Sequence, residues 1–166
     1  AKDTNLQHQI FYSHNFGHNG PLAFHGLGIN AKISELQGAM GLAVLPYMER
    51  ILSERGKVVD TYNDQLDFSK LKTIKIRSNT KWNYSYYPVI FESEKKLLEV
   101  QATLNQMQIF PRRYFYPSLN KIEYLAASEM IVSESIASRV MCLPLYVGLS
   151  TSELNQIITT INFALK

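Results

Sequence analysis

The apolar residues of this chain change their period once, near Leu71, and that change constrains the fold more than any single motif. Before it, Leu36, Met40 and Ala43/Val44 repeat at helical spacing. After Pro46, which either starts a new helix or kinks the old one, Met48, Ile51, Leu52, Val59, Tyr62 and Leu66 continue the pattern to about Phe68. Gly56 weakens this second helix without ending it. Beyond Leu71 the pattern shortens. LKTIKIRS (71–78) and NYSYYPVIFES (83–93) read as strands, with Pro88 marking an edge or a bulge. Residues 94–108 read as an amphipathic helix through Leu97, Leu98, Val100, Leu104 and Met107, and IFPRRYFYP (109–117) as a short strand or extended segment. A polar connection leads to a helix through Val132, Ile136 and Val140. MCLPLYVGLS is an extended exit, and Ser150 caps a last helix with Glu153 at the capping-box position. Strands and helices in this order predict a small α+β sandwich with a short antiparallel sheet, preceded by long helices.

The N-terminal residues have a different character. Asp3 or Thr4 can cap a helix carrying Leu6, Ile10 and Phe11. Residues 13–30 hold four glycines, one proline and three histidines, which predicts a long loop of the kind usually tied to function. Ser34 opens the next helix with Gln37 in the capping-box position, and Gly38, Ala39, Gly41 and Ala43 keep its surface low, so that another backbone can approach. The expected division is a helical and loop-rich N-terminal third and an α+β remainder from near Leu71.

Several chemistries are disfavoured. With 17 Lys plus Arg against 14 Asp plus Glu and no basic cluster longer than a doublet, the chain lacks a nucleic-acid footprint. No apolar stretch reaches membrane-spanning length and the start resembles no leader, so the expected compartment is the cytoplasm. Cys142 is the only cysteine and reads as a small buried apolar residue, which leaves no disulfide and no cysteine zinc cage. His14, His18 and His25 lie in a glycine-rich loop without a carboxylate and read as loop histidines bonded to backbone, not as metal ligands. No phosphate-loop or nucleophile-elbow motif is present.

Two stretches carry chemistry. In GLGINAKISELQGAMGL (26–42), Asn30 and Lys32 stand just before a helix start whose free amides favour an anion. The competing reading is an Asn30 bonded to local backbone and a solvated Lys32. In PRRYFYP (111–117), two guanidiniums and three aromatic rings suit a phosphate with a flat base or sugar. The competing reading is an edge strand with snorkelling arginines. Strand alternation would put Arg113, Phe115 and Pro117 on one face and Arg112, Tyr114 and Tyr116 on the other.

Taken in order, the NFGHNGP and GLGINAKISELQGAMGL blocks, RRYFYPSL and VMCLPLYVGLSTSELNQI resemble the C-terminal part of the DegT/DnrJ/StrS family of pyridoxal-phosphate (PLP) dependent nucleotide-sugar aminotransferases, over essentially the whole chain. Gly28 to Ala39 matches the family's Gly-Tyr-Asn-x-Arg-x-(Ser/Thr)-Glu-x-Gln-Ala-Ala block, with Ile29 for Tyr and Lys32 for Arg, and Leu143 to Leu149 matches its Leu-Pro-x-Tyr-x-x-Leu exit. Asn120 stands where relatives often carry His.

The resemblance implies the C-terminal portion of an α/β, fold type I aminotransferase, with residues 1–30 as the tail end of the PLP-binding large domain and its active-site loop, 31–70 as long connecting helices and 71–166 as a small α+β domain. It also implies a homodimer in which Asn30 reaches the PLP phosphate of the opposite subunit, while Lys32, Arg112, Arg113, Tyr114 and Tyr116 line the nucleotide-sugar side. An amino-acid donor, expected to be glutamate, and a keto-6-deoxy sugar on a dTDP carrier would be the substrates, in the biosynthesis of cell-surface polysaccharide or antibiotic sugars. None of the 11 lysines has the context of the family's Schiff-base lysine. A chain that starts on Ala and lacks that lysine is expected to be a piece of a longer enzyme, its missing PLP domain upstream. Alone it should be inactive and hold no PLP, and it contains no catalytic residue or metal ligand. The alternative is a non-catalytic dimerisation or ligand-binding module of the same fold.

Overall fold

A computed structural model describes residues 2–19, 23–122 and 128–166. The chain forms two compact units, Ala1–Met48 and Glu49–Lys166.

In the first unit, α1 spans Thr4–Ser13 and α2 spans Glu35–Val44. The Asp3 carboxylate caps α1 by accepting from the amides of Asn5 and Leu6. Ser34 and Gln37 close a reciprocal capping box at the start of α2. Between the helices, residues 13–18 lie back to back with 24–31: the amide of Phe16 donates to Ile29, that of Ile29 to Ser13, that of Ala31 to His14 and that of His25 to Gly17. Glycine makes this crossing possible, because a Cβ on Gly28 would lie 2.1 Å from the Gly17 nitrogen and 2.7 Å from the Ser13 carbonyl oxygen. Gly20, Pro21 and Leu22, part of the predicted loop, lie outside the described residues, as does Ala1. Neither α1 nor α2 buries a residue; Leu6, Ile10, Phe11, Leu36 and Met40 are all exposed. Among the described residues nothing comes within 4 Å of a Cβ placed on Gly41.

The second unit is built on a three-stranded antiparallel sheet ordered β1 (Lys72–Thr73), β2 (Tyr87–Ile90), β3 (Val140–Leu143). Register pairs Tyr87 with Leu143 and Val89 with Met141 on one face, and Pro88 with Cys142 and Ile90 with Val140 on the other. The first face is the core. There Tyr87, Val89, Met141 and Leu143 meet Val58, Val59 and Tyr62 of α3 (Met48–Gln65), Leu97, Val100 and Leu104 of α4 (Glu94–Gln106), and Leu154, Ile157, Ile158 and Ile161 of α6 (Thr151–Ala164). Polar atoms at this face are satisfied: the Tyr62 hydroxyl donates to the Pro144 carbonyl, and the Tyr87 hydroxyl to Asn63 Oδ1. Burial of the two rings pushes the Tyr62 phenol pKa up and that of Tyr87 to about 12. The side chain of Asn162 ties α6 to the end of α3, accepting from the Asp67 amide and donating to the Gln65 carbonyl.

Three expectations are corrected here. The strand expected over 71–78 shrinks to two residues. Pro88 sits in the central strand, not at an edge; its carbonyl faces β1, accepting from Thr73 Oγ1, so its missing N–H points to where β1 has already stopped. The helix expected to run through Val140 is α5, Ile131–Arg139; Val132 is exposed, Ala137 is the buried residue, and Val140 already belongs to β3. Residues 123–127, within the expected connection, lie outside the described residues.

Gly56 lies beneath the strap before β2, where Tyr84 lays its ring over the helix. A Cβ at position 56 would meet that ring at 3.5 Å, an ordinary contact. Gly56→Ala is therefore expected to stabilise the unit by up to about 1 kcal/mol through helix propensity. Thermal denaturation checks the sign, and a lowered Tm would show that the ring cannot give way.

Candidate functional site

The crossed loop of the first unit brings Asn30 and Lys32 together. Lys32 Nζ donates to Asn30 Oδ1 at 2.8 Å and to Asn15 Oδ1 at 2.9 Å, and lies 4.3 Å from the centre of the Phe16 ring. Neither of the two local readings anticipates this: Asn30 is bonded to Lys32 and not to backbone. The Asn30 Nδ2 protons and one face of a cation thus share an exposed surface, a donor set suited to a phosphate. His14 bonds the Ile10 carbonyl through Nδ1 and lies against the Phe11 ring, while His25 stacks on Tyr12 and His18 on Phe24, so all three loop histidines are packed against rings. Among the described residues no three His, Cys, Asp or Glu side chains converge.

In the second unit, PRRYFYP runs along the outer edge of β3. Its backbone pairs with the sheet at one residue: the Arg112 amide donates to the Cys142 carbonyl, and the Cys142 amide donates back to the Arg112 carbonyl. Strand alternation therefore fails beyond this bridge. Arg113 and Tyr116, expected on opposite faces, lie together, with the guanidinium 3.7 Å from the ring centre, and Tyr114 stacks on Phe115. Arg113 also bonds Glu94 Oε1 at 2.6 Å and the Ser138 carbonyl at 2.7 Å.

Arg112 and Tyr114 line an open cavity of about 360 Å³ together with Ser85, Tyr86, Phe110, Cys142 and Tyr146. Tyr86 and Tyr114 share a hydrogen bond, which raises the Tyr86 pKa above that of a free phenol, while Arg112 pulls it the other way. Burial raises the Cys142 thiol, so it stays protonated. One cation, three phenols and apolar walls can hold an anion attached to a flat or ring-shaped group. The sequence reading missed Tyr86 and Tyr146; the run NYSYY and the tyrosine of the LPLY block were their only signals.

Asn120 is fully engaged: Oδ1 accepts from Ser118, and Nδ2 donates to Glu134 and to the Ser128 carbonyl. Glu134 also accepts from the Met130 amide and pairs with Lys121 at 2.9 Å, so this carboxylate gathers both ends of the segment that follows PRRYFYP.

A profile described as the DegT/DnrJ/EryC1/StrS aminotransferase family matches residues 1–162. A relative from Shigella dysenteriae, a dTDP-4-amino-4,6-dideoxy-D-glucose transaminase, is 35% identical over 154 residues, which is 89% of this chain and 42% of the relative. Among solved structures, a DegT DnrJ EryC1 StrS aminotransferase from Brucella abortus superimposes with a TM-score of 0.84 at 22% identity, covering 98% of this chain and 44% of the other. A sugar aminotransferase from Streptococcus pneumoniae in its PLP form does so with a TM-score of 0.81 at 17% identity, over 99% and 44%. The chain thus spans under half the length of the relatives it matches.

Glu134 is held down to about 2 by the Met130 amide, then by Lys121 and Asn120. A carboxylate depressed in the folded state contributes stability that is present above its ordinary value of 4.5 and lost as pH falls toward about 2. Acid denaturation of Glu134→Gln should therefore differ from the parent above pH 4.5 and converge with it by about pH 2. A difference that stays constant across this window would show that the clasp does not depend on the charge.

Proposed function

Because this chain belongs to the DegT/DnrJ/EryC1/StrS aminotransferase family, we propose that it is the C-terminal part of a PLP-dependent transaminase. The whole protein would move an amino group, with glutamate as donor, to a keto-6-deoxy sugar carried on dTDP. Such a product serves cell-surface polysaccharide or antibiotic sugar biosynthesis in the cytoplasm. The observation that carries the reading is the cavity beside β3, where Arg112 and the phenols of Tyr86, Tyr114 and Tyr146 offer one cation and several rings to a sugar nucleotide. The Shigella relative, named for a dTDP-bound aminodideoxy sugar, supports the same substrate class.

The residues present also fit a PLP phosphate. Asn30 has its oxygen occupied by Lys32 and its amide protons left for an anion; Lys32, expected on the nucleotide-sugar side, is bonded to Asn30 and in this reading adds its charge to the phosphate. In the proposed dimer these two would hold the phosphate bound to the opposite subunit. When bound, PLP supplies the carbonyl that takes up an amino group and passes it on. This chain's share of the work is to bind and orient: Arg112 takes the diphosphate charge, Tyr114 and Tyr86 meet the ring-shaped part of the substrate, and the Tyr116 ring backs Arg113. The chain alone has no lysine in the required context and is inactive in this reading.

The encoded sequence before Ala1 tests the reading directly. A lysine-bearing block there is expected, and its absence would favour a non-catalytic module. In the whole protein, Arg112→Gln should raise the Kd for dTDP about tenfold or more, since a hydrogen bond to a charged group contributes about 1.5–3 kcal/mol. Asn30→Ala should shorten PLP retention on dialysis by a similar factor, and unchanged retention would remove Asn30 from the phosphate.

A further inference from the structure

Arg112 and Arg113 are neighbours in sequence with opposite environments. Arg112 is exposed in the cavity, whereas the Arg113 side chain is only 16% exposed and every partner it has lies outside the cavity lining. Its guanidinium bridges three elements. Nη2 donates to Glu94, the first residue of α4, whose carboxylate is favoured there by the positive end of the helix. The same nitrogen donates to the Ser138 carbonyl in the last turn of α5, one of the carbonyls a helix leaves without an internal partner. The flat cation lies on the ring of Tyr116, three residues further along the segment. Nε is buried and unpaired among the described residues, so it is closed to a ligand. The segment is thus held by the paired backbone bonds of Arg112 and Cys142, by the ties of Tyr114 to Tyr86 and to the Cys142 thiol, and by the Arg113 bridge.

We propose that Arg113, held by Glu94, is a positioning residue: it fixes residues 112–116 so that Arg112 and Tyr114 face the cavity, and it does not itself touch the ligand. This rests on the reading of that cavity as the sugar-nucleotide site. The segment pairs with the sheet at Arg112 and is tied at Tyr114 to Tyr86, and among the described residues Arg113 supplies its one charged link, to Glu94; a flat guanidinium that donates to two acceptors while stacked on a ring is a geometry that lysine cannot copy. Removing Glu94 would release the cation, let the segment swing about the Arg112 bridge and leave Arg112 and Tyr114 spread over many orientations.

The experiment is a double-mutant cycle in the whole PLP-loaded protein, with Glu94→Gln, Arg113→Gln and the double variant, and with Arg112→Gln as reference. The probe is dTDP, measured by calorimetry, and steady-state kinetics follow the sugar nucleotide. Each single change should raise the dTDP Kd about fivefold to tenfold, and the double no more than either alone, as expected of two residues acting as one unit. The KM for the sugar nucleotide should rise by the same factor with kcat kept. Were Arg113 a direct ligand, Glu94→Gln would leave dTDP binding unchanged or tighten it, and that result overturns the proposal. Additive effects, or a kcat that falls as far as KM rises, also overturn it. If Arg113→Gln does not fold, Glu94→Gln carries the same decision alone. Normal dTDP binding in Arg112→Gln would instead overturn the cavity reading itself and the positioning role with it. A weakened Arg112→Gln beside an unaffected Glu94→Gln removes the positioning role only.

Discussion

The register between β2 and β3 is the constraint on which the second unit depends. Because side chains alternate along a strand, one set of pairs sends Tyr87, Val89, Met141 and Leu143 into the helical core and the other leaves Val140 and Cys142 facing the opposite side. A slip by one residue would exchange the two sets and put the thiol and Pro88 among the leucines of α4 and α6. The same register exposes the outer edge of β3 at Cys142, where Arg112 bonds, so core and cavity are two outcomes of one pairing.

That edge contact explains how a single short segment does two jobs. PRRYFYP is too weakly tied to the sheet to be a strand, and the side chains after Arg112 are free of strand alternation. Arg113 uses that freedom to reach the ends of α4 and α5, where helix termini offer a carboxylate and a bare carbonyl. Glu134 does comparable work for the following residues, gathering Asn120, Lys121 and the Met130 amide onto one carboxylate. Asn120 spends its amide on Ser118, Glu134 and the Ser128 carbonyl, so it is held and does not face the cavity.

Much of this was legible in the sequence because it is local. Helix starts at Asp3, Ser34 and Ser150 follow from side-chain oxygens placed before amides, and the apolar faces of α3, α4 and α6 follow from a 3.6-residue period. The lengths of the strands did not follow, since β1 is limited by what it can pair with and Ile74 and Ile76 remain exposed beyond its end. The fate of the arginines was equally hidden, because it depends on contacts with Glu94 and Ser138 that are 19 and 25 residues away. The Lys32–Asn15 bond, 17 residues apart, belongs to the same class, as does the Tyr86–Tyr114 pair. For the site, then, residue types could be read and their partners could not.

The lack of any buried residue in α1 and α2 has a calorimetric meaning. Heat-capacity change on unfolding scales with the apolar surface newly wetted, and these helices have almost none left to wet. The melting endotherm of this chain is therefore expected to come chiefly from Glu49–Lys166, with little heat-capacity change from α1 and α2. Anything that covers Leu36, Met40 and their neighbours would reveal itself by the reverse sign, as a negative heat-capacity change of association.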